Sequence, residues 1–275
     1  MLPSHADPSR EQRPALEVSG LWSSYGGRRV LSDVSFTVRP REIFVIMGTS
    51  GAGKTTLLRH VLGLAAPERG AIEILGERLY PATRAQLFRI RRQIGVAFQH
   101  GALINSLNVI DNIELPLRQH TRLDRATIRI MSRMKLEMMN LAGCEDYMPA
   151  QLSGGMLKRA GLARAVVMDP RVLFFDEPSA GLDPVTAAAL DDLILQLRAA
   201  MHMSIVVVTH ALESAFKIAD RIMIIGEGGV RAIGALDEIR AHPDPQVQAL
   251  LARRSGPPEV DGGAYLDRLT AAIDD

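Results

Sequence analysis

Residues Gly48, Thr49, Ser50, Gly51, Ala52, Gly53, Lys54 and Thr55 fit the spacing G-x-x-x-x-G-K-[ST]. That spacing suits one purpose. The backbone N–H groups of a glycine-rich loop can cradle phosphate oxygens, and the lysine can reach the outer phosphates. Thr55, followed by Thr56, offers a hydroxyl suited to Mg2+. The apolar run EIFVIMG enters the loop and the helical run KTTLLRHVLGL leaves it, which is the setting a phosphate loop requires.

Two further apolar runs end in residues able to do chemistry. RVLFF ends at Asp176 and Glu177, and SIVVV ends at Thr209 and His210. Parallel sheets bind ligands outside the carboxyl ends of their strands. The loop, the carboxylates and the imidazole are therefore expected at one edge. Asp176 is the expected Mg2+ anchor. Glu177 is the candidate general base for attack by water, and His210 a candidate γ-phosphate contact. A second glycine pair, Gly154 and Gly155 in QLSGGMLKRAGLARA, precedes a basic helical run. Such a helix start suits an anion, but one nucleotide does not need two cradles so far apart.

The elements that must position these groups are legible in outline. LEVSGLW and LSDVSFTV alternate apolar and polar residues and read as strands, separated by the turn SYGGRR. GAIEILG reads as a short strand, and residues 83–93 as a basic helix with a solvated face. From about 105 to 168 the pattern is helical, without a convincing strand. PVTAAALDDLILQLRAA is a helix with Pro184 near its start. ALESAFKIAD follows as a helix and RIMIIGEGGVRAIG as a hairpin. This is a mixed α/β lobe interrupted by a helical insertion. The methionines of IMSRMKLEMMNLA read first as core packing, with a flexible docking face as the alternative.

Composition narrows the rest. A chain of 275 residues can bury a large core, and a net charge of +1 gives no field that would favour nucleic acid. The lone Cys144 excludes an intramolecular disulfide and reads as a small buried hydrophobe. No apolar run approaches the roughly 18 residues needed to span a bilayer. The start, MLPSHADPSREQRP, lacks the apolar stretch of a secretory signal and reads as a disordered lead over residues 1–14. A soluble, cytoplasmic protein is expected, unless a partner holds it at a membrane.

Taken in order, these motifs resemble the ATP-binding subunits of ABC transporters over residues 16–240. LSGGM, Leu152 to Met156, is similar to the family signature LSGGQ. FFDEP resembles the Walker B segment, and SAGLD, ending at Asp183, the D-loop. Gln99 matches the Q-loop glutamine, a further Mg2+ ligand, VVTH the switch-histidine segment, and Tyr25 the aromatic that stacks on adenine. The resemblance implies a P-loop NTPase core with a mostly parallel sheet, an antiparallel β subdomain and a helical subdomain at about 100–168. It implies an ATP hydrolase using ATP and Mg2+. It also implies a homodimer in which Ser153, Gly154 and Gly155 of one chain cover the nucleotide on the other's loop, which explains the second cradle.

Within that family, LSGGM followed by basic residues, and FQHGALINSLNVIDNIELPLRQHT over 98–121, resemble the ATPases of Mce-domain lipid transport systems, of which Mla is the best known. The chain departs from that group at Ile104, where Phe is expected, and in AGLDP, where Mla ATPases often carry Gln. The resemblance implies an integral-membrane permease and an Mce-domain lipid-binding protein as partners, with room for a small regulatory subunit. The location would be the cytoplasmic face of the bacterial inner membrane, held there by the permease. The alternatives are an ABC ATPase for another cargo and a non-transport ABC ATPase acting on ribosomes or DNA. The latter class usually carries two ATPase units or a long coiled coil, and this chain has one set of motifs and no heptads. Residues 241–275 are expected to form a helical extension and tail. There Leu266, Leu269 and Ile273 share a helical face that could clasp the partner ATPase.

Overall fold

The computed structural model describes residues 13–252. The tail from residue 253 onward and most of the expected lead lie outside the described residues. The chain opens with strands β1 (Leu16–Tyr25), β2 (Arg28–Val38) and β3 (Ile43–Gly48), followed by helix α1 (Lys54–Val61). Then come β4 (Arg69–Ile74), β5 (Glu77–Arg78), α2 (Arg84–Arg91) and β6 (Ile94–Ala97). Helices α3 (Val109–His120), α4 (Arg125–Met138) and α5 (Gly154–Val166) follow without an intervening strand. The C-terminal half alternates: β7 (Val172–Asp176), α6 (Pro184–Met201), β8 (Ser204–Val208), α7 (Leu212–Ile218), β9 (Arg221–Gly226), β10 (Gly229–Gly234), α8 (Leu236–Arg240) and α9 (Pro245–Ala252).

These strands form two sheets. One has six strands in the order β10-β9-β3-β8-β7-β6, and the other has four in the order β2-β1-β4-β5. In the larger sheet β3 pairs in parallel with β8 and β9, and β7 with β6 and β8; only β10 runs antiparallel. The smaller sheet is antiparallel throughout.

The parallel strands are apolar without alternation because both of their faces are covered. Ile43, Val45 and Met47 of β3 join a core with the helices, while Phe44 and Ile46 join a second core shared with the small sheet. Phe36 of β2 stacks on Phe44 with ring centroids 5.4 Å apart, which bolts the two sheets together at their shared face. Arg221 crosses the same junction, over the Phe44 ring and 3.2 Å from buried Glu42.

The loop that leads into the helical stretch is held by polar groups as well as apolar ones. Asn112, fully buried in α3, accepts from the Ile104 N–H at 2.7 Å and donates to the carbonyls of Ile104, Leu107 and Asn108. The loop before α3 is thus wrapped around one amide, and Asn108 caps the helix. The methionine run divides: Met139 is buried and Met131 and Met138 pack on the core, whereas Met134 is 58% exposed. The arginines of α2 are all exposed, as a solvated face requires, and two of them also make bonds. Arg89 pairs with Glu77 at 3.0 Å and Arg91 donates to the Gly63 carbonyl. Cys144 is partly buried against the core.

Candidate functional site

The order β3-β8-β7 makes neighbours of three strand ends that are far apart in sequence. β3 runs at Gly48 into the phosphate loop, beyond β8 come Thr209 and His210, and β7 ends at Asp176 with Glu177 next. Backbone bonds carry the register past the strand ends. Thr209 N–H donates to Ile46 O at 3.1 Å, and Glu177 N–H to Val208 O at 2.8 Å. A cleft of about 800 Å3 opens there. Gly48, Thr49, Ser50, Gly51, Gly53, Lys54, Thr55, Thr56, Gln99, Asp176, Glu177 and His210 all line it.

Two glycines of the loop are required by geometry. A Cβ on Gly48 would stand 2.4 Å from the Ile225 carbonyl oxygen of the neighbouring strand. Gly53, the cap of α1, has φ +99°, where a side chain is strained, and its Cβ would meet Leu31 at 2.7 Å. Ala52 points the other way. It is buried in the core between the sheets, so it supports the loop rather than lining the cleft.

Lys54 folds back over the loop, its Nζ donating to the carbonyls of Gly48 at 2.8 Å and Thr49 at 3.0 Å. Burial pulls its pKa down, while the charges of Glu177 and Asp176 pull it back up. Asp176 is pushed up by burial and by Glu177, against the pull of Lys54. The site therefore holds one cation and two carboxylates in partial burial, so an anionic phosphate there calls for a further cation.

Glu177 has φ +50°, in the left-handed region, and its carboxylate is held on several sides. It accepts from Thr209 Oγ1 at 3.2 Å and from the His210 N–H at 3.3 Å, and lies 2.9 Å from His210 Nδ1. A carboxylate so placed can take a proton from water in the cleft. Among the described residues no group of three or more His, Cys, Asp or Glu side chains could hold a metal ion by itself. Thr55, Gln99 and Asp176 are oxygen donors suited to Mg2+, which keeps waters and phosphate oxygens as most of its ligands. The donor set fits that ion.

The remaining predicted residues stand apart from the cleft. Tyr25 ends β1 at the hairpin tip, 81% exposed. Ser153 caps α5, its Oγ accepting from Met156 N–H at 3.3 Å, and Gly154 and Gly155 form the first turn. None of the three lines the cleft of its own chain. Asp183 caps α6, accepting from the N–H groups of Val185 and Thr186; the Thr186 hydroxyl holds its carboxyl below the ordinary range. Sequence reasoning missed Val30 and Leu250, which also line the cleft. Val30 follows from the alternation of β2. Leu250 comes from α9, whose apolar residues Val247 and Leu250 recur at i and i+3.

The family model described as "ABC transporter" matches residues 31–180. The intermembrane phospholipid transport system ATP-binding protein MlaF of Escherichia coli K12 is 41% identical over 226 residues, 82% of this chain and 84% of that protein. The probable ribonucleotide transport ATP-binding protein mkl of Mycobacterium tuberculosis is 39% identical over 244 residues, 88% of this chain and 68% of that protein. Among solved structures, the ATP-binding cassette MJ0796, a dimer bound to ADP and Pi in a post-hydrolysis state, superposes with a TM-score of 0.74. It is 30% identical and is matched over 80% of this chain and 98% of its own. Fold, motif order and relatives agree: the chain belongs to the ATP-binding family of ABC transporters.

Proposed function

We propose that this chain is the ATP-hydrolysing subunit of an Mla/Mce-type phospholipid transporter, working as an ATP-bridged homodimer beneath an integral-membrane permease. The observation that carries the composite site is a separation. The phosphate loop, Asp176, Glu177 and His210 share one cleft, whereas Ser153, Gly154 and Gly155 start a helix outside it. A second copy, turned about a two-fold axis, brings its own helix start to the open side of the cleft, and the same patch serves both chains.

In that arrangement the loop N–H groups and Lys54 hold the β- and γ-phosphates, and Tyr25 stacks on the adenine. Thr55, Gln99 and Asp176 would hold Mg2+, which when bound offsets charge on the transferring phosphoryl group. Glu177 takes the proton from the attacking water, and His210 keeps that carboxylate oriented and contacts the γ-phosphate. Ser153 and the two glycines supply helix-start N–H groups from the partner chain. Asp183 lies at the same interface. Loss of the γ-phosphate removes the bridge and loosens the dimer.

The phospholipid cargo is supported by the MlaF relatives and by the segment 98–121. The peripheral location at the inner membrane accords with there being no helix among the described residues long and apolar enough to cross a membrane. The word ribonucleotide in the name of the mkl relatives supports a second reading, the same engine with a different cargo. Purification from membranes in mild detergent separates the two. A permease together with an Mce-domain protein and bound phospholipid is expected; a permease without either points to the second reading.

A further inference from the structure

Lys158 belongs to the basic helical run after the signature glycines, where a lysine ordinarily keeps its charged head in water. Its ammonium instead points inward. Nζ donates to the carbonyl oxygens of Pro178 and Ala180, both at 2.6 Å, and lies 3.4 Å from that of Glu177. An ammonium has three donors, one for each oxygen. Burial pulls its pKa down and the Glu177 charge pulls it back up.

The carbonyls belong to the segment that leaves β7 at Glu177 and reaches the cap of α6 at Asp183. Few other bonds hold it. Its own turns are closed by Ala180 N–H to Glu177 O at 3.3 Å and Leu182 N–H to Ser179 O at 3.2 Å. On one side Glu177 is tied to the end of β8 through Val208, Thr209 and His210. Lys158 ties the segment down to α5. It sits one helical turn beyond Gly154, in a continuous helix of 13 residues anchored elsewhere by Arg164 on the carbonyls of Gly101 and Ala102. A movement of the helix start therefore reaches the segment through charge-assisted hydrogen bonds, which are the stiffer kind.

We propose that Lys158 is a positioning residue that couples the two ATP sites. It fastens the helix covering the partner's nucleotide to the segment that carries this chain's own Glu177. Docking of a γ-phosphate under one signature then sets the base in the other site. This rests on the composite-site reading given above.

The test uses the full-length protein. Lys158→Met keeps the apolar stem and removes the donors. It should lower kcat about tenfold or more, since small misplacements of a catalytic group carry such costs. KM for ATP should stay within about twofold, because the variant leaves the phosphate loop intact. The Hill coefficient for ATP, expected to exceed one in the wild type, should fall to one. Lys158→Arg, which keeps donors, should recover most of both. If Lys158→Met does not fold, as judged by circular dichroism, Lys158→Ala, which also lacks donors, replaces it and the same readouts apply. ATP-driven dimerisation of Glu177→Gln, followed by light scattering, is the control. Should that variant stay monomeric with ATP, the composite-site reading falls. Should it dimerise while the Lys158 variant keeps wild-type kcat and Hill coefficient, or should the wild type itself show a Hill coefficient of one, the coupling is overturned.

Discussion

His210 Nδ1 stands 2.9 Å from Glu177 Oε1, with the Glu177 side chain 15% and the imidazole 69% exposed. The histidine is thus the outer wall of a carboxylate that is otherwise gripped from within by Thr209 and a backbone N–H. Its exposed edge faces the cleft where the γ-phosphate is proposed to sit. Replacing His210 by Ala should leave ATP binding within a few-fold of the wild type and cut hydrolysis by about a hundredfold. Nucleotide binding by fluorescence and phosphate release measure the two separately.

Glu177→Gln keeps the shape and the contact with Thr209 and loses the base. Hydrolysis should fall by about a hundredfold or more. With ATP the variant should accumulate as a dimer in light scattering, because the bridge is made and not cut. Near-normal turnover would move the base elsewhere.

Lys54→Ala removes the one cation that, among the described residues, reaches the loop carbonyls of Gly48 and Thr49. Hydrolysis should be abolished and ATP affinity should drop at least about tenfold, the loss expected for a charge-assisted contact. The fold should survive, since α1 is held by buried Leu57, Leu58 and Val61 rather than by the lysine. Circular dichroism and equilibrium ATP binding check both halves.

Asp191 of α6 is buried and accepts from Ser214 of α7, so it ties the helix after Asp183 to the helix after His210. Burial raises its pKa, with the Ser214 hydroxyl and the Lys217 charge pulling it partly back. A carboxyl with a folded pKa above its unfolded value favours the fold while protonated. That contribution is complete below the ordinary value of 3.8 and is lost as pH rises through the folded value. Asp191→Asn stays neutral. Its stability relative to the wild type should therefore improve as pH rises above about 4. In thermal melts the variant's lead over the wild type should widen with pH. A difference that does not change with pH would contradict this.

The chemistry-bearing residues were legible because each follows a run of apolar residues with a motif at its end. Strand β3, with every residue buried, needed no partner to be read as a central strand. What escaped was short or settled by tertiary contact. Strand β6 has four residues, too few for a period to declare itself, and it exists because β7 pairs with it. Strand β5, with two residues, is a ladder made by β4. The inward turn of Lys158 had no local signal, since lysines on a helix normally face water and the three carbonyls that hold it lie some twenty residues on. Leu250 reached the cleft only through the packing of α9 beside the loop. The segregation of Gly154 and Gly155 from the cleft follows from α5 lying in the helical stretch, which motif spacing alone does not fix.

The central claim is that each ATP is covered by two chains, and complementation between dead variants tests it most directly. Ser153→Arg obstructs the helix start and leaves its own phosphate loop whole, while Lys54→Ala does the reverse. Each alone should be inactive in ATP hydrolysis, although Ser153→Arg should still bind ATP. Mixed in equal amounts, half the dimers carry one chain of each kind and one intact site, so activity should return to at most about a quarter of wild type. Normal hydrolysis by Ser153→Arg alone, or a mixture no more active than its two parts, would contradict a site shared between chains.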